Sequence, residues 1–434
     1  MKPSVYNFYL EQKDNVICFN ALSHKFMKVP SKRTKVVRDI IDRPDDYVSI
    51  FPNFYSKLED GNFIVNDDVY EPDLVLEKYN NSVKEKNYKL VILPTLQCNF
   101  KCWYCIQSHD KGKMGKEMLH RIYKHIEYMI IEKKIKSISL EWFGGEPFMC
   151  FKNVINPISI FTKNICKEFN VPFFSSATTN GFFLTQDVVD KLKEYNFKGF
   201  QITIDGDREC HNNVRKSKTK SSFDEILNNI KYICSQLDDC LIKLRINYDE
   251  SNLNPKKIIT QINEIISSEY RNKIEFAFRR VWQVKAFNDE HEKLKELYSI
   301  LQKDGYGTSI DIIPNYTPCY TSRIYYNTIS FNGGVYKCTV KKDLQKDSLG
   351  YLDENGIIQW RVKDFEKIYH RPLFRNKTCM ACKYLPICMG PCTQKYETNG
   401  LKIPKFKCIK GVTNGFEFED SILNCCKEMQ KAKL

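Results

Sequence analysis

Residues 90–105, LVILPTLQCNFKCWYC, decide the fold and the chemistry of this chain. An apolar run with strand character leads straight into a C-x₃-C-x₂-C spacing made by Cys98, Cys102 and Cys105. A [4Fe–4S] cube takes four thiolates, so one loop with three of them leaves one iron open to an outside ligand. A structural or zinc-binding role is the competing interpretation of three clustered cysteines. The rest of the chain distinguishes the two.

Strand and helix patterns alternate six times around this stretch. The strands are KLVILPTL, SISLEWF, FFSSATT, FQITID, LIKLRINY and KIEFAFR, and helical segments separate them. Regular βαβ alternation predicts an α/β fold with a parallel sheet and outer helices, and six units favour a partial (β/α)₆ TIM-like barrel over residues 86–280. Chemistry in such barrels lies at the C-terminal ends of strands. The three cysteines follow the first strand, where a site is expected.

Composition narrows the class of protein. With 434 residues and 42% hydrophobic content, the chain can bury a core in two or three domains. Its first residues lack a signal-peptide pattern and no long apolar run occurs, so we expect a cytoplasmic protein without a membrane partner. Eighteen cysteines in a reducing compartment favour metal ligation over disulfides. The net charge of +14 comes from scattered lysines, which favours a solvated surface over nucleic-acid binding and would suit an acidic peptide.

A second motif follows the second strand: Gly144-Gly145-Glu146-Pro147. Glycines let the backbone approach a ligand closely, and a neighbouring carboxylate can pair with an ammonium group. Together with the three cysteines, this motif resembles the radical S-adenosylmethionine (SAM) enzymes. The resemblance implies that the cysteines hold a [4Fe–4S] cluster and that SAM binds the open iron and is cleaved to a 5′-deoxyadenosyl radical. It also implies that the GGEP segment binds the SAM amino group.

Three further strand ends resemble the family. They carry Thr179-Asn180-Gly181, Ile204-Asp205-Gly206 and Arg245-Ile246-Asn247. Asn180 and Asp205 could contact SAM or substrate, although Asn-Gly and Asp-Gly are also turn dipeptides. His211 and Arg215 are candidate contacts or surface charges. The resemblance implies that Tyr104 meets adenine through its backbone, so the predicted SAM-binding residues are Tyr104, Gly144, Gly145, Glu146, Pro147, Asn180 and Asp205.

Cysteines accumulate in residues 319–434, after a predicted helical linker at 281–318. The spacings are Cys319-x₁₃-Gly333-x₄-Cys338 and Cys379-x₂-Cys382-x₅-Cys388-x₃-Cys392, followed by Cys408. A zinc ribbon is one interpretation of such spacing. The complete series resembles the SPASM domain, which carries two auxiliary [4Fe–4S] clusters. The resemblance implies an outer cluster on Cys379, Cys382, Cys388 and Cys408 and an inner one on Cys319, Cys338 and Cys392.

The ligand count leaves one position open. Two auxiliary clusters with four ligands each need eight thiolates, and the motif supplies seven. No cysteine lies between Cys240 and Cys319, so the inner cluster either has an open iron, which we favour, or takes Cys425 or Cys426. The remaining cysteines lie in helical or strand patterns and are predicted to be small core residues; they are Cys18, Cys150, Cys166, Cys210, Cys234 and Cys240.

Residues 1–85 form a separate unit of short strands and amphipathic helices, which indicates a winged-helix-like module. It resembles the peptide-recognition modules that precede many peptide-modifying radical SAM enzymes, and a purely structural cap is the alternative. The whole resembles a radical SAM/SPASM enzyme that crosslinks a ribosomally made precursor peptide through a thioether, a C–C cyclophane or an ether. The implied partners are a precursor peptide with its leader and an electron donor such as flavodoxin or ferredoxin.

Two alternatives remain. A sulfatase-maturing enzyme is similar, but that subfamily places an Asp after the second SPASM cysteine, where this chain has Thr339, a poor general base. A non-catalytic, metal-stabilised binding module is the alternative of another class. The catalytic base and the bond formed cannot be read from the sequence.

Overall fold

A computed structural model describes residues 1–216, 221–308, 318–339, 348–361, 374, 376–388, 422, 423 and 426. The described residues form two compact units. The first contains residues 1–85 and 318–324 and those from 374 onward, and the second contains residues 86–308 and 325–361. None of the described helices is long and apolar enough to cross a membrane.

The N-terminal part of the first unit has two small sheets. Its strands are β1 (Lys2–Pro3), β2 (Asn7–Gln12), β3 (Asn15–Asn20), β4 (Phe26–Pro30) and β5 (Ile64–Val65), and its helices are α1 (Thr34–Asp42), α2 (Pro52–Asp60) and α3 (Glu71–Lys84). Strands β2, β3 and β4 pair antiparallel in that order, and β1 pairs with β5. Strand β3 is buried along nearly its whole length because its two faces pack into two different apolar clusters.

These short strands and helices agree with the mixture predicted for residues 1–85. Strand β4 (FMKVP) has only one buried residue and ends in a proline, as suits an edge strand. The sheet packs on one face against side chains from the far end of the chain, including Tyr384, Leu385 and Ile387. The first 85 residues therefore share a core with the described C-terminal residues.

The second unit contains the predicted parallel sheet. Its strands are β6 (Asn87–Leu93), β7 (Ser137–Trp142), β8 (Phe173–Thr179), β9 (Phe197–Ile204), β10 (Leu241–Tyr248) and β11 (Ile274–Arg280). All six lie side by side in chain order and pair in parallel, which confirms the α/β prediction. The helices are α4 (Lys116–Ile131), α5 (Asn156–Glu168), α6 (Gln186–Leu192), α7 (Arg208–Val214), α8 (Ser222–Gln236), α9 (Pro255–Asn263) and α10 (Glu290–Lys303).

The sheet continues beyond both ends of this series. It adds β12 (Gly307–Thr308) next to β11, and β13 (Tyr326–Ser330), β14 (Gly334–Tyr336), β15 (Gly350–Leu352) and β16 (Ile358–Trp360) beyond β6. Strand β13 pairs in parallel with β6, and β14 to β16 follow antiparallel. Residues 326–360, which belong to the cysteine-rich region, therefore extend the large sheet. Two four-residue helices follow, α11 (Lys377–Met380) and α12 (Leu385–Cys388).

The two faces of the barrel strands differ in character. Phe200, Ile202 and Ile204 of β9 are buried in the main apolar core, whereas the alternating Gln201 and Thr203 are partly exposed. Strand alternation sends these two sets to opposite faces of the sheet. The inner face is therefore polar and accessible, which makes room for a ligand.

Candidate SAM and cluster site

A cavity of about 400 Å³ lies on this polar inner face. That volume falls within the range usual for small-molecule sites. Its wall combines residues of β7 to β10 with residues from the loops after β6, β7, β8 and β11. The lining includes seven of the sequence-predicted site residues: Cys98, Cys102, Cys105, Tyr104, Gly144, Gly145 and Asn180. The structure therefore brings together motifs that are separated by more than 80 residues.

The three cysteines differ in exposure. Cys98 and Cys102 are half-buried and Cys105 is exposed. Burial raises the pKa of Cys98 to about 11, although the Phe100 N–H, which donates to its sulfur at 3.4 Å, partly opposes the shift. Without a bound metal this side chain is a thiol, so iron binding must release its proton.

The geometry bears on the zinc interpretation. Within the described residues, no group of three or more His, Cys, Asp or Glu side chains converges on a point as a single-ion site would require. Three thiolates of a [4Fe–4S] cube bind three different irons and need no such convergence. The spread of the three thiols in this loop is therefore compatible with a cluster.

Gly144 and Gly145 are needed because two backbone segments meet here. A Cβ on Gly145 would overlap the carbonyl oxygens of Leu96 and Gln97, and one on Gly144 would overlap that of Thr95. Gly144 also has a φ of 134°, which side-chain-bearing residues rarely adopt. The N–H of Gly145 donates to the Thr95 carbonyl at 3.1 Å. These glycines let the turn after β7 brace the loop that carries Cys98.

Glu146 is fully buried and does not line the cavity. Its carboxylate accepts three hydrogen bonds, from the N–H of Phe148 at 3.0 Å, the N–H of Asn180 at 2.8 Å and the Thr179 hydroxyl at 2.7 Å. Burial raises its pKa to about 7, against the lowering effect of these donors. In this structure Glu146 joins the turn after β7 to the end of β8. Its predicted pairing with the SAM amino group stays a prediction, as does any contact by Pro147, which is also buried behind the wall.

Asn180 connects the end of β8 to the cysteine loop. Its side-chain amide donates to Asn99 Oδ1 at 2.7 Å and lies 3.7 Å from Cys98 Sγ. Its Oδ1 accepts from the N–H of Phe182 at 3.0 Å, which is the turn geometry expected for Asn-Gly. Asn180 therefore forms the turn and also contacts the loop, so the two sequence interpretations of this residue are compatible.

A buried charge network fixes the other side of the cysteine loop. Asp205, which is 1% exposed, accepts from the Tyr104 hydroxyl at 2.5 Å and from Arg215 Nε at 2.6 Å. Arg215 also donates to the Tyr104 hydroxyl at 2.8 Å. Burial acts to lower the pKa of Arg215, but the negative charge of Asp205 outweighs it and helps to hold that pKa well above its ordinary value. Tyr104 lies between two of the cysteines, so this network positions the loop.

His211 and Arg215 are therefore not surface charges. The His211 ring is fully buried and its Nδ1 accepts from the N–H of Asp205 at 3.2 Å. Burial, followed by the charge of Arg215, lowers the pKa of His211 well below its ordinary value, so the ring is neutral. Both residues support Asp205: His211 lies behind the cavity wall, whereas Arg215 also lines the cavity.

The downstream cysteines lie in both units. Cys338 is buried at the end of the β13–β14 hairpin in the second unit, and the next residue, Thr339, lines the cavity. Cys319 and the group Cys379, Cys382 and Cys388 are partly exposed members of the first unit. Cys426 is buried in the apolar cluster against which that group packs. Cys392, Cys408 and Cys425 lie outside the described residues.

Sequence reasoning missed part of the cavity wall. Gln201 and Thr203 of β9 and Glu141 of β7 line it. The sequence pattern that could have revealed these residues is the alternation of polar and apolar positions in FQITID and SISLEWF, since the polar positions lie on the face of the sheet away from the apolar core. His109 and Gln283 also line the cavity, but they come from loops without such a pattern.

Comparison with known families identifies this constellation. Residues 92–247 match the model of the Radical SAM superfamily. A 107-residue stretch is 31% identical to the S-adenosyl-L-methionine-dependent 2-deoxy-scyllo-inosamine dehydrogenase of Niallia circulans; it covers 25% of this chain and 40% of that protein. The chain thus spans about two fifths of the length of this curated relative.

Solved structures show the same fold. A histidine-tagged form of anSMEcpe with bound AdoMet superposes with a TM-score of 0.54 at 17% identity, over 78% of this chain and 91% of that one. Native anSMEcpe with bound AdoMet and Cp18Cys peptide gives a TM-score of 0.52 at 18% identity, over 77% and 94%. Residues 92–247 of this chain therefore carry a Radical SAM domain, and its cysteine loop and strand-end motifs contribute to the cavity described above.

Proposed function

We propose that this protein is a radical SAM enzyme that crosslinks a ribosomally made precursor peptide, with a SPASM-type C-terminal domain that holds two auxiliary [4Fe–4S] clusters. The bond is a thioether, a C–C cyclophane or an ether. One observation carries the proposal: the three cysteines of the loop after β6 line the same cavity as Gly144, Gly145 and Thr339. The predicted SAM site therefore shares a cavity with Thr339, which directly follows Cys338, a predicted ligand of an auxiliary cluster.

The residues present fit a cluster and SAM. Three thiols of one loop, a glycine turn and a polar wall face a common cavity. Cys98, Cys102 and Cys105 would hold the cluster, and the wall formed by Gly144, Gly145 and Asn180 would hold SAM beside it. When bound, this pair supplies hydrogen-atom abstraction from an unactivated carbon.

The protein's own contribution is positioning. Asn180 and the glycine turn hold the cysteine loop from one side, and Asp205 with Arg215 holds it through Tyr104 from the other. A rigid loop would keep the reacting carbon of the substrate close to the bound cofactor, and small displacements cost large factors in rate.

A peptide substrate is supported by two features. The fold is shared with anSMEcpe, which has been solved with a bound peptide. The first unit adds an antiparallel sheet whose edge strands β2 and β4 could each accept a peptide as a further strand. A groove beside this sheet is lined by β2, β3 and α1, including the exposed Val36.

Sulfatase maturation is disfavoured by the residue at position 339. Because Thr339 lines the cavity, this position faces the substrate, and a threonine hydroxyl is not a base at neutral pH. The acidic side chain that lines the cavity, Glu141, forms an ion pair with Lys89. Small-molecule oxidation is a second candidate, favoured by the sequence likeness to the inosamine dehydrogenase.

The direct test uses the full chain, reconstituted anaerobically with iron and sulfide. With dithionite and SAM it should form 5′-deoxyadenosine, and with its precursor peptide, to be sought among small genes beside its own, it should remove two hydrogen atoms from that peptide. Mass spectrometry reads both products. SAM cleavage without any change in the peptide would reject peptide crosslinking and leave the radical SAM assignment intact.

The role of the first unit needs a point variant, because deletion of residues 1–85 would expose its shared core at Tyr384 and Leu385. Val36→Asp places a charge in the groove, and Val48→Asp is the matched control at an exposed valine outside it. Binding of the leader peptide should weaken by about tenfold or more in Val36→Asp only. The bound peptide would cover Val36, so in the variant it would cover a charge instead of an apolar side chain. Equal binding by both variants would remove the groove from the proposal.

A further inference from the structure

Arg245 is a charged side chain in the cavity wall that the proposed chemistry does not use. It lies on β10 at the level of Thr203 in β9 and Ala277 in β11. Its Nε donates to Asn247 Oδ1 at 2.8 Å. Over the ranges that the structure describes, its two terminal nitrogens have no hydrogen-bond acceptor and no carboxylate lies within ion-pair distance.

Two other charged side chains in the described part of the cavity wall, Arg215 and Glu141, are compensated. The Arg215 guanidinium is bound by Asp205, and the Glu141 carboxylate is bound by Lys89. Asp205 is the acid that acts on Arg245, but its two oxygens are already taken by Tyr104 and Arg215. Arg245 therefore contributes an uncompensated positive charge to the described part of the wall.

A guanidinium in this setting favours an anionic ligand. Burial lowers the pKa of Arg245, which reports a cost of holding the charge there. An arginine nevertheless stays protonated in proteins, so the cost is relieved by binding an anion and not by losing a proton. A carboxylate matches the planar fork of its terminal nitrogens with two parallel hydrogen bonds.

Strand order separates Arg245 from the predicted place of the amino-acid end of SAM. The cysteine loop follows β6 and the glycine turn follows β7, whereas Arg245 lies on β10, four strands from β6. Adjacent strands are about 4.8 Å apart, so Arg245 lies four strand spacings along the sheet from β6 and three from β7. The anion that reaches it is expected to come from the substrate.

We propose that Arg245 binds a carboxylate of the peptide substrate, either an aspartate or glutamate side chain or the C-terminal carboxylate, and so fixes which residue lies beside the reacting position. This inference rests on the proposed function. It agrees with the net charge of +14, which favours acidic partners.

The test uses the full chain with its clusters loaded and SAM bound, and four blocked or unblocked pentapeptides as probes. Two of the peptides carry a single carboxylate: the first has an internal glutamate and an amidated C-terminus, and the second has an internal glutamine and a free C-terminus. The third, with glutamine and an amidated C-terminus, has no carboxylate. The fourth, with glutamate and a free C-terminus, has both. Binding is measured by calorimetry for the wild type, Arg245→Gln, Arg245→Lys and the control Lys285→Gln. Lys285 is exposed and its change removes the same charge from the surface.

The wild type should bind at least one carboxylate peptide about tenfold more tightly than the peptide with neither carboxylate. Arg245→Gln should lose that preference, Arg245→Lys should keep part of it, and Lys285→Gln should keep all of it. Comparison of the first two peptides shows whether Arg245 binds the glutamate side chain or the C-terminal carboxylate. Equal or undetectable binding of all four peptides by the wild type would overturn the inference, as would a tenfold loss of SAM affinity in Arg245→Gln with peptide preference unchanged.

The readout of SAM cleavage separates this inference from the proposed function. If the wild type forms 5′-deoxyadenosine but shows no carboxylate preference, only the role of Arg245 fails. If it forms none, the proposed function fails first.

Discussion

The two groups of cysteines in this protein are held by different kinds of local structure. Cys98, Cys102 and Cys105 lie in a loop that follows a buried strand and is held by glycine contacts, Asn180 and the Tyr104 network. Cys379, Cys382 and Cys388 lie on or beside α11 and α12, helices of four residues each. Helices this short have almost no internal stability. The first site is thus organised by the chain itself, whereas we expect the second to depend on its metal.

The largest expected effect comes from removing the first group. Changing Cys98, Cys102 and Cys105 to alanine should abolish 5′-deoxyadenosine formation, because three corners of one cluster lose their ligands. About eight of about twelve irons per chain should remain, four in each auxiliary cluster. Product chromatography and iron analysis of the reconstituted protein give the two readings. A triple variant that still cleaves SAM would place the active cluster elsewhere.

The next effect breaks the scaffold and leaves the ligands in place. Gly145→Ala forces a Cβ onto the carbonyls of Leu96 and Gln97, so the cysteine loop must shift. SAM cleavage should fall by roughly 100-fold, in line with displacement of about 1 Å at a reacting site. Gly115→Ala is the control, since a Cβ there meets nothing within 4 Å. Equal activity of the two variants would mean that the turn after β7 does not brace the loop.

Local features of this site could be predicted from the sequence, whereas contacts between distant segments could not. The spacing of the cysteines and the βαβ alternation are local signals, and they located the strand, the loop and the barrel correctly. The actual role of Gly145 depends on the carbonyls of residues 95–97, about 50 residues away, and no local pattern reveals such an approach. The parallel pairing of β13 with β6 joins residues more than 230 positions apart, so it too was missed.

A smaller effect concerns pH. Burial raises the pKa of Glu146 to about 7 from its ordinary value of 4.5, so folding favours its protonated form. The folded protein is therefore most stable, as far as Glu146 is concerned, when this carboxyl is protonated. This contribution to the free energy of unfolding is fully present below about pH 4.5 and is lost as the pH rises through about 7. The whole change amounts to roughly 3 kcal/mol for a shift of this size. Glu146→Gln should remove it.

Urea unfolding of the metal-free protein at pH 5 and pH 8 measures this difference. The wild type should lose more stability than Glu146→Gln between the two values, whatever the offset between the proteins at pH 5. An identical pH dependence in both would show that Glu146 is ionised in the folded state at neutral pH.

The smallest effect concerns the tail. Cys426 is buried among the apolar residues of the first unit, so its change should cost packing and no iron if the inner auxiliary cluster has an open site. The Cys425→Ala/Cys426→Ala double variant should keep about twelve irons per chain and both auxiliary electron-paramagnetic signals. Loss of about four irons would make the tail a ligand donor and close that site to the substrate.

The central claim is that SAM binds an open iron of the cluster held by the loop after β6. Electron-paramagnetic resonance of the dithionite-reduced full chain, before and after addition of SAM, tests it most directly. SAM should change the signal of one cluster, and the same change should be missing in the variant without Cys98, Cys102 and Cys105, whose auxiliary signals persist. A wild-type spectrum that is unchanged by saturating SAM, in protein with full iron content, would contradict the account.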